Sequence, residues 1–194
     1  MNSKFWIDGF GWKELKDYIN EVPDFPKKGV SFKDISPLLE SGRVFKDVIN
    51  EMGKLVAPRW SDIPKYWIGI EARGFIIASA LAHRFGGGMI MCRKAGKLPP
   101  TVFSYSYKTE YSEDTLQIKQ DSGTKSGVSS TAVIVDDVLA TGGTMLATDY
   151  LCKTAGYDVT NHLVLIDLKY IPLTEHSTHL GKFNLDVKSL IQYE

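Results

Sequence analysis

Two kinds of apolar pattern alternate along the chain. The first is a short run that is apolar at nearly every position: residues 66–70, 89–92, 131–135 and 162–167. Runs of that length, without polar alternation, fit strands covered on both faces. The second recurs every three or four residues. Residues 44–56 place Val44, Phe45, Val48, Met52, Leu55 and Val56 on one helical face, and residues 75–85 and 142–155 read as further helices. A helix is also predicted over 12–22, where Leu15, Tyr18, Ile19 and Val22 share a face. Residues 115–119 alternate as a strand, whereas 93–114 form a long polar stretch rich in Lys, Pro, Ser and Tyr. Pro23 and Pro26 mark a turn-rich loop that ends at Gly29.

Strands alternating with helices of about 11 residues predict an α/β fold, a parallel sheet flanked by helices. One domain over 1–194 is expected. Ligands of such sheets bind beyond the carboxyl ends of the strands, so the loops after Ile70, Cys92, Val135 and Asp167 are the places to look.

Composition adds limits. At 43% hydrophobic and 24% charged residues, the chain has the material for an ordinary core. Lys plus Arg balances Asp plus Glu, 23 against 23, which gives no footprint for nucleic acid or an acidic membrane. A local basic pocket stays open. No stretch approaches the roughly 20 apolar residues of a membrane span, and no signal-peptide core is evident near the start. The two cysteines, Cys92 and Cys152, have no metal-type spacing, and Cys92 follows Met89, Ile90 and Met91 as a buried thiol would. A reducing, cytoplasmic location is expected. Phe5, Trp6, Phe10 and Trp12 cluster as a packing or dimer surface.

The chemistry concentrates in Val133-Ile134-Val135-Asp136-Asp137-Val138-Leu139-Ala140-Thr141-Gly142-Gly143-Thr144. A strand delivers two adjacent carboxylates, and the loop then turns at two glycines into a helix. Glycines let backbone N–H groups approach an anion, and the helix N-terminus adds roughly half a positive charge. Thr141 and Thr144 add hydroxyls. This is a cradle for a phosphate monoester. Carboxylates accept hydrogen bonds from vicinal diols and attract hydrated Mg²⁺, so Asp136 and Asp137 suit a ribose 5-phosphate. Neither a Walker loop nor a GxGxxG fingerprint is present.

The segment resembles the 5-phosphoribosyl-1-pyrophosphate (PRPP) signature of the type I phosphoribosyltransferases. The likeness extends to their adenine branch: Asp24-Phe25-Pro26 and Gly29 to Leu39 resemble its base-binding segment, Glu71-Ala72-Arg73-Gly74-Phe75 its pyrophosphate loop, and Arg93 to Pro99 the start of its mobile lid. Residues 107–111 carry its Glu-Tyr pair, and 189–194 match its ending. The resemblance implies a small hood over about 1–40, a lid over about 98–114, a homodimer, and Mg²⁺ held mainly by substrate, with Asp136 reaching it through water. Transfer of phosphoribose from PRPP to adenine, giving AMP, is the implied reaction.

The resemblance also implies the roles. Ser31, Phe32 and Lys33 bind the base. Glu71, Ala72, Arg73, Arg93, Lys94 and Lys97 bind pyrophosphate, with Glu71–Ala72 often a cis peptide. Asp136, Asp137, Leu139, Ala140, Thr141, Gly142, Gly143 and Thr144 hold ribose phosphate. Glu110 assists proton transfer at the purine, Tyr111 helps close the site, and Arg73 and Lys97 stabilise the leaving group. Two positions depart from the pattern. Lys33 stands where many relatives carry Arg, and Ala95 where some carry a second Arg in the lid. A xanthine, hypoxanthine–guanine or orotate enzyme remains an alternative, as does a PRPP-sensing regulator. Asp167-Leu168-Lys169-Tyr170 offers a Lys-and-aromatic pair of the kind that reads a 6-oxo group.

Overall fold

The computed structural model describes residues 4–7, 11–108, 113–120, 130–173 and 185–194. All four apolar runs are strands of one sheet: β5 (Tyr66–Ile70), β6 (Gly88–Lys94), β9 (Thr131–Leu139) and β10 (Asp158–Leu168). Before them come β1 (Lys4–Ile7), β2 (Gly11–Glu14), β3 (Asn20–Val22) and β4 (Phe32–Asp34), then helices α1 (Ser36–Glu40) and α2 (Gly42–Val56). Helix α3 (Arg73–Phe85) links β5 to β6, and α4 (Gly143–Thr154) links β9 to β10. Strands β7 (Val102–Lys108), β8 (Glu113–Lys119) and β11 (Val187–Tyr193) complete the set. The sheet order is β11-β10-β9-β5-β6-β8-β7, parallel from β11 to β6 and antiparallel from β6 through β8 to β7.

Strand β9 shows why the central runs lack polar alternation. Val133 and Val135 pack with Val48, Met52, Ile77 and Leu81 of α2 and α3. Ala132 and Ile134 pack on the other face with Met145 and Leu151 of α4 and with Leu116 and Ile118 of β8. Each such Val, Ile, Leu or Met side chain, fully buried, contributes about 1.5–3 kcal/mol relative to exposure. Both faces are therefore core, and the strand ends are the places where polar residues can reach solvent.

The structure departs from the sequence pattern in three places. The helix predicted over 12–22 is instead the end of the β1–β2 hairpin, a single 3₁₀ turn at Leu15–Tyr18, and β3 paired antiparallel with β4. Its helical spacing arises because Leu15 and Ile19, four apart, are both buried, while Val22 is exposed. Part of the polar stretch 93–114 is the strand β7. There Ser104 and Ser106 face out while Tyr105 and Tyr107 face the core, an alternation that a simple count of polar residues hides. Finally, β9 runs four residues past Val135, because its ladder with β10 continues through Val164↔Asp136 and Ile166↔Val138. The twin acids lie within the strand rather than beyond it. Of the early aromatic residues, Phe5, Trp6 and Trp12 fall on the β1–β2 hairpin, and Phe10 lies outside the described residues.

Candidate functional site

Among the described residues, three hollows open at the carboxyl end of the parallel strands. The largest, about 470 Å³, is lined by Gly29 to Lys33, Arg73, Val138, Ala140, Thr141, Leu168, Tyr170 and Ile171. A small one of about 90 Å³ is lined by Asp136 and by Val138 to Met145. The third, about 340 Å³, is lined by Glu71, Ala72, Arg73, Lys94, Tyr107, Asp114, Leu116, Asp136, Asp137, Val138, Ala140 and Thr144. Val138 and Ala140 border all three, so the hollows meet at one point.

The small hollow has the geometry of an anion site. Gly142 adopts the left-handed conformation, with φ of 84°, and begins α4 without any side-chain cap. A Cβ is disfavoured at that φ, so glycine is what permits the turn. The uncapped helix end leaves first-turn N–H groups facing the hollow. Thr144 presents its hydroxyl from that turn, and its carbonyl accepts a hydrogen bond from Thr148 Oγ1 at 2.8 Å.

Beside it stands the acid pair. Asp137 is buried, and its Oδ2 lies 2.8 Å from Arg73 Nε. Asp136 Oδ1 accepts the Asp137 N–H at 2.9 Å. Burial, then the charge of Asp137, pushes the Asp136 carboxyl well above its ordinary range. Burial likewise raises Asp137, against the pull of Arg73. Gly74 lets α3 approach this point closely: a Cβ there would sit 2.7 Å from the Val135 carbonyl and 3.0 Å from Asp136 Oδ1.

Arg73 joins the acid pair to the hood segment. Its Nη1 donates to the Lys33 carbonyl at 3.1 Å, and its guanidinium lies 4.7 Å from the Phe32 ring centroid. Phe32 packs edge-on against Phe25 at 5.2 Å. The Lys33 side chain is buried away from solvent: its ammonium pairs with Glu21 at 2.7 Å, donates to Ser31 Oγ at 3.2 Å and sits 4.4 Å from the Tyr193 ring centroid. A lysine here thus remakes its contacts as a point charge rather than a fork.

A cationic cluster gathers on Glu71, at the end of β5. Glu71 accepts from Arg93 Nη2 and Lys97 Nζ, both at 3.1 Å, and from the Lys94 N–H at 2.9 Å. Burial raises this carboxyl, but the three donors outweigh it and hold it at about 2. The Glu71–Ala72 peptide is cis, as the resemblance implied. Lys94 also faces Asp114 at 3.5 Å.

The structure therefore brings Ser31, Phe32 and Lys33 to the largest hollow and Leu139 to Thr144 to the smallest. Glu71, Ala72, Arg73, Lys94 and the acid pair line the third. Arg93 and Lys97 do not line that third hollow but pair with Glu71, which does. Glu110 and Tyr111 lie outside the described residues. The sequence reading gave no role to Val138, Tyr107, Asp114 or Ile171, and offered Leu168 and Tyr170 only within the 6-oxo alternative. Leu168 and its neighbours lie in the stretch after Asp167 that the strand-end rule had marked, although Ile171 itself was not singled out. Tyr107 was legible only through the Ser–Tyr alternation of β7.

Comparisons with known proteins agree in family and in fold. Residues 64–167 match the phosphoribosyl transferase domain family. The adenine phosphoribosyltransferase of Hydrogenovibrio crunogenus is 40% identical over 181 residues, covering 93% of this chain and 96% of that protein. That of Thermotoga maritima is 41% identical over 180 residues, covering 93% and 98%. Among solved structures, the adenine phosphoribosyltransferase of Thermoanaerobacter pseudethanolicus superposes with a TM-score of 0.81 at 37% identity, covering 92% of this chain and 98% of that one. The Saccharomyces cerevisiae enzyme, crystallised with an imino-altritol bisphosphate and adenine, gives 0.79 at 29% identity, covering 91% and 96%.

Proposed function

This chain belongs to the adenine phosphoribosyltransferase family, and on that premise we propose how its site performs the transfer of phosphoribose from PRPP to adenine, releasing pyrophosphate and leaving AMP. The observation that carries the reading is the meeting of three hollows at Val138 and Ala140. A base, a ribose 5-phosphate and a pyrophosphate radiate from one sugar in the same way.

Adenine takes the largest hollow, against the face of Phe32 and beside the apolar Leu168 and Ile171. The rival pattern for a 6-oxo purine needs a cation at Lys169, but Lys169 Nζ is 2.6 Å from Asp167 Oδ2 and does not line the hollow. The 5-phosphate takes the small hollow, and its binding energy fixes the anomeric carbon. The ribose diol faces Asp136 and Asp137, and the pyrophosphate faces Arg73 and Lys94.

As the bond to pyrophosphate breaks, negative charge grows on the leaving group and positive charge on the ribose ring. Arg73, Lys94 and Lys97 stabilise the first, and the acid pair eases the second. Mg²⁺ would be held chiefly by substrate oxygens, with Asp136, which lines the third hollow, in reach through water. When bound, that ion would add Lewis-acid neutralisation of the pyrophosphate.

Glu110 and Tyr111 keep in this proposal the proton-transfer and closing roles that the resemblance implies. Glu110→Ala then lowers kcat in steady-state assays, and a change confined to KM would remove Glu110 from proton transfer. A homodimer is also part of the reading, supported by the exposed Ile76 and Met91 on α3 and β6, two elements in mutual contact. A cytoplasmic location is supported by two buried cysteines without a disulfide. The deciding assay is adenine plus PRPP with and without Mg²⁺, followed by AMP formation, alongside hypoxanthine, guanine and xanthine. AMP only with adenine and Mg²⁺ supports the reading. Turnover of another base in place of adenine overturns it.

A further inference from the structure

We infer that Tyr107 is a positioning residue for the 5-phosphate, acting through the hydroxyl of Thr144. The inference deepens the phosphate-cradle reading of residues 139–144 and rests on it. The Tyr107 Oη lies 3.0 Å from Thr144 Oγ1. Tyr107 comes from β7, in the antiparallel part of the sheet, 37 residues from Thr144 in sequence. It is 6% exposed, so its hydroxyl is delivered from within the core and its ring is held by packing. Thr144 borders both the small hollow and the third one, while Tyr107 borders only the third. The contact therefore reaches Thr144 from the side of the third hollow, outside the small one.

The chemistry sets the direction of the bond. A phosphate monoester dianion only accepts hydrogen bonds, so Thr144 must donate to it. Thr144 Oγ1 then has only lone pairs left for Tyr107, which must donate. Burial, opposed by the bond to Thr144, raises the Tyr107 phenol above its ordinary value, so it keeps its proton through neutral pH. The result is a chain, Tyr107 O–H to Thr144 O–H to phosphate. It locks the threonine rotor in its donating orientation, and each donor in the chain polarises the next. A second bond pins the same residue from behind, Thr148 Oγ1 to the Thr144 carbonyl.

The test is calorimetric titration of ribose 5-phosphate, and separately of Mg²⁺-pyrophosphate, into wild type, Tyr107→Phe, Thr144→Val, Thr144→Ser and the Tyr107→Phe/Thr144→Val double variant. Tyr107→Phe keeps the ring and should weaken ribose 5-phosphate about three- to tenfold, the worth of one neutral hydrogen bond, and leave pyrophosphate unchanged. Thr144→Ser, which keeps the hydroxyl, should bind as wild type. The double variant should bind no more weakly than Thr144→Val alone. Wild-type affinity in Tyr107→Phe, equal losses for both ligands, or losses that multiply in the double variant would each overturn the inference while leaving the cradle intact. If Thr144→Val itself binds ribose 5-phosphate normally, the cradle reading falls and this inference with it.

Discussion

Two groups of carboxylates stand within the same site and live under opposite conditions. Glu71, after β5, is surrounded by donors: Arg93, Lys97 and the Lys94 N–H. Asp136 and Asp137, on β9, lean on Arg73 and repel each other. A buried charge is costly unless paired, so the first group is comfortable when ionised and the second is not. Glu71 is held at about 2, whereas burial lifts both aspartates above their ordinary value. The difference separates scaffold from site. Glu71 is already satisfied and serves to gather cations. Among the described residues the acid pair is met by Arg73 and one backbone N–H, and a ligand carrying hydroxyls or a cation would add the partners that Glu71 already has.

The largest effect should come from removing the ligand-facing pair. Asp136→Asn with Asp137→Asn is expected to lower kcat/KM by about 10³-fold or more, comparable to the loss of a principal electrostatic group. Steady-state rates with adenine and PRPP measure it. Near-normal turnover would mean that the pair is scaffold too, and the contrast with Glu71 would collapse.

A smaller and more selective effect is expected at the satisfied site. Glu71→Gln removes the charge that draws Arg93 and Lys97 together but keeps the shape of the side chain. The KM for PRPP should rise about tenfold, the cost of misplacing one charged contact, with the KM for adenine unchanged. Equal rises for both substrates would show that the substitution loosens the loop generally and would blur the distinction.

This contrast could not be read from the chain itself. The motif 133–144 was legible because strand, acids, glycines and helix are contiguous, so local chemistry carries the whole message. The parallel core was legible because burial on both faces leaves unbroken apolar runs. Partners brought from a distance were not. Glu71 resembled another ligand residue until its three donors, 22 to 26 positions away, were placed around it. Tyr107 meets Thr144 across 37 residues. The predicted helix over 12–22 failed for a related reason: pairing with β4 overrode a spacing that satisfied only one turn.

The finest discrimination is thermal and needs no substrate. A carboxylate whose folded pKa is lowered adds stability above its unfolded value and loses it as pH falls through the folded one. For Glu71 that contribution is full above about 4.5 and fades toward about 2. For Asp136 the sign reverses. Its raised folded pKa means that the ionised form costs stability at high pH, and the cost disappears as pH falls toward its ordinary value of 3.8. In the ligand-free protein at neutral pH, Glu71→Gln should therefore lower the melting temperature, and Asp136→Asn should raise it by about 2–4 °C, the shift expected for 1 kcal/mol in a chain of this size. Both differences from wild type should shrink as the buffer is taken toward pH 3. A stabilised but inactive Asp136→Asn is what a site strained in favour of its ligand predicts. A destabilised Asp136→Asn would show instead that its carboxylate is already satisfied within the fold, as Glu71 is.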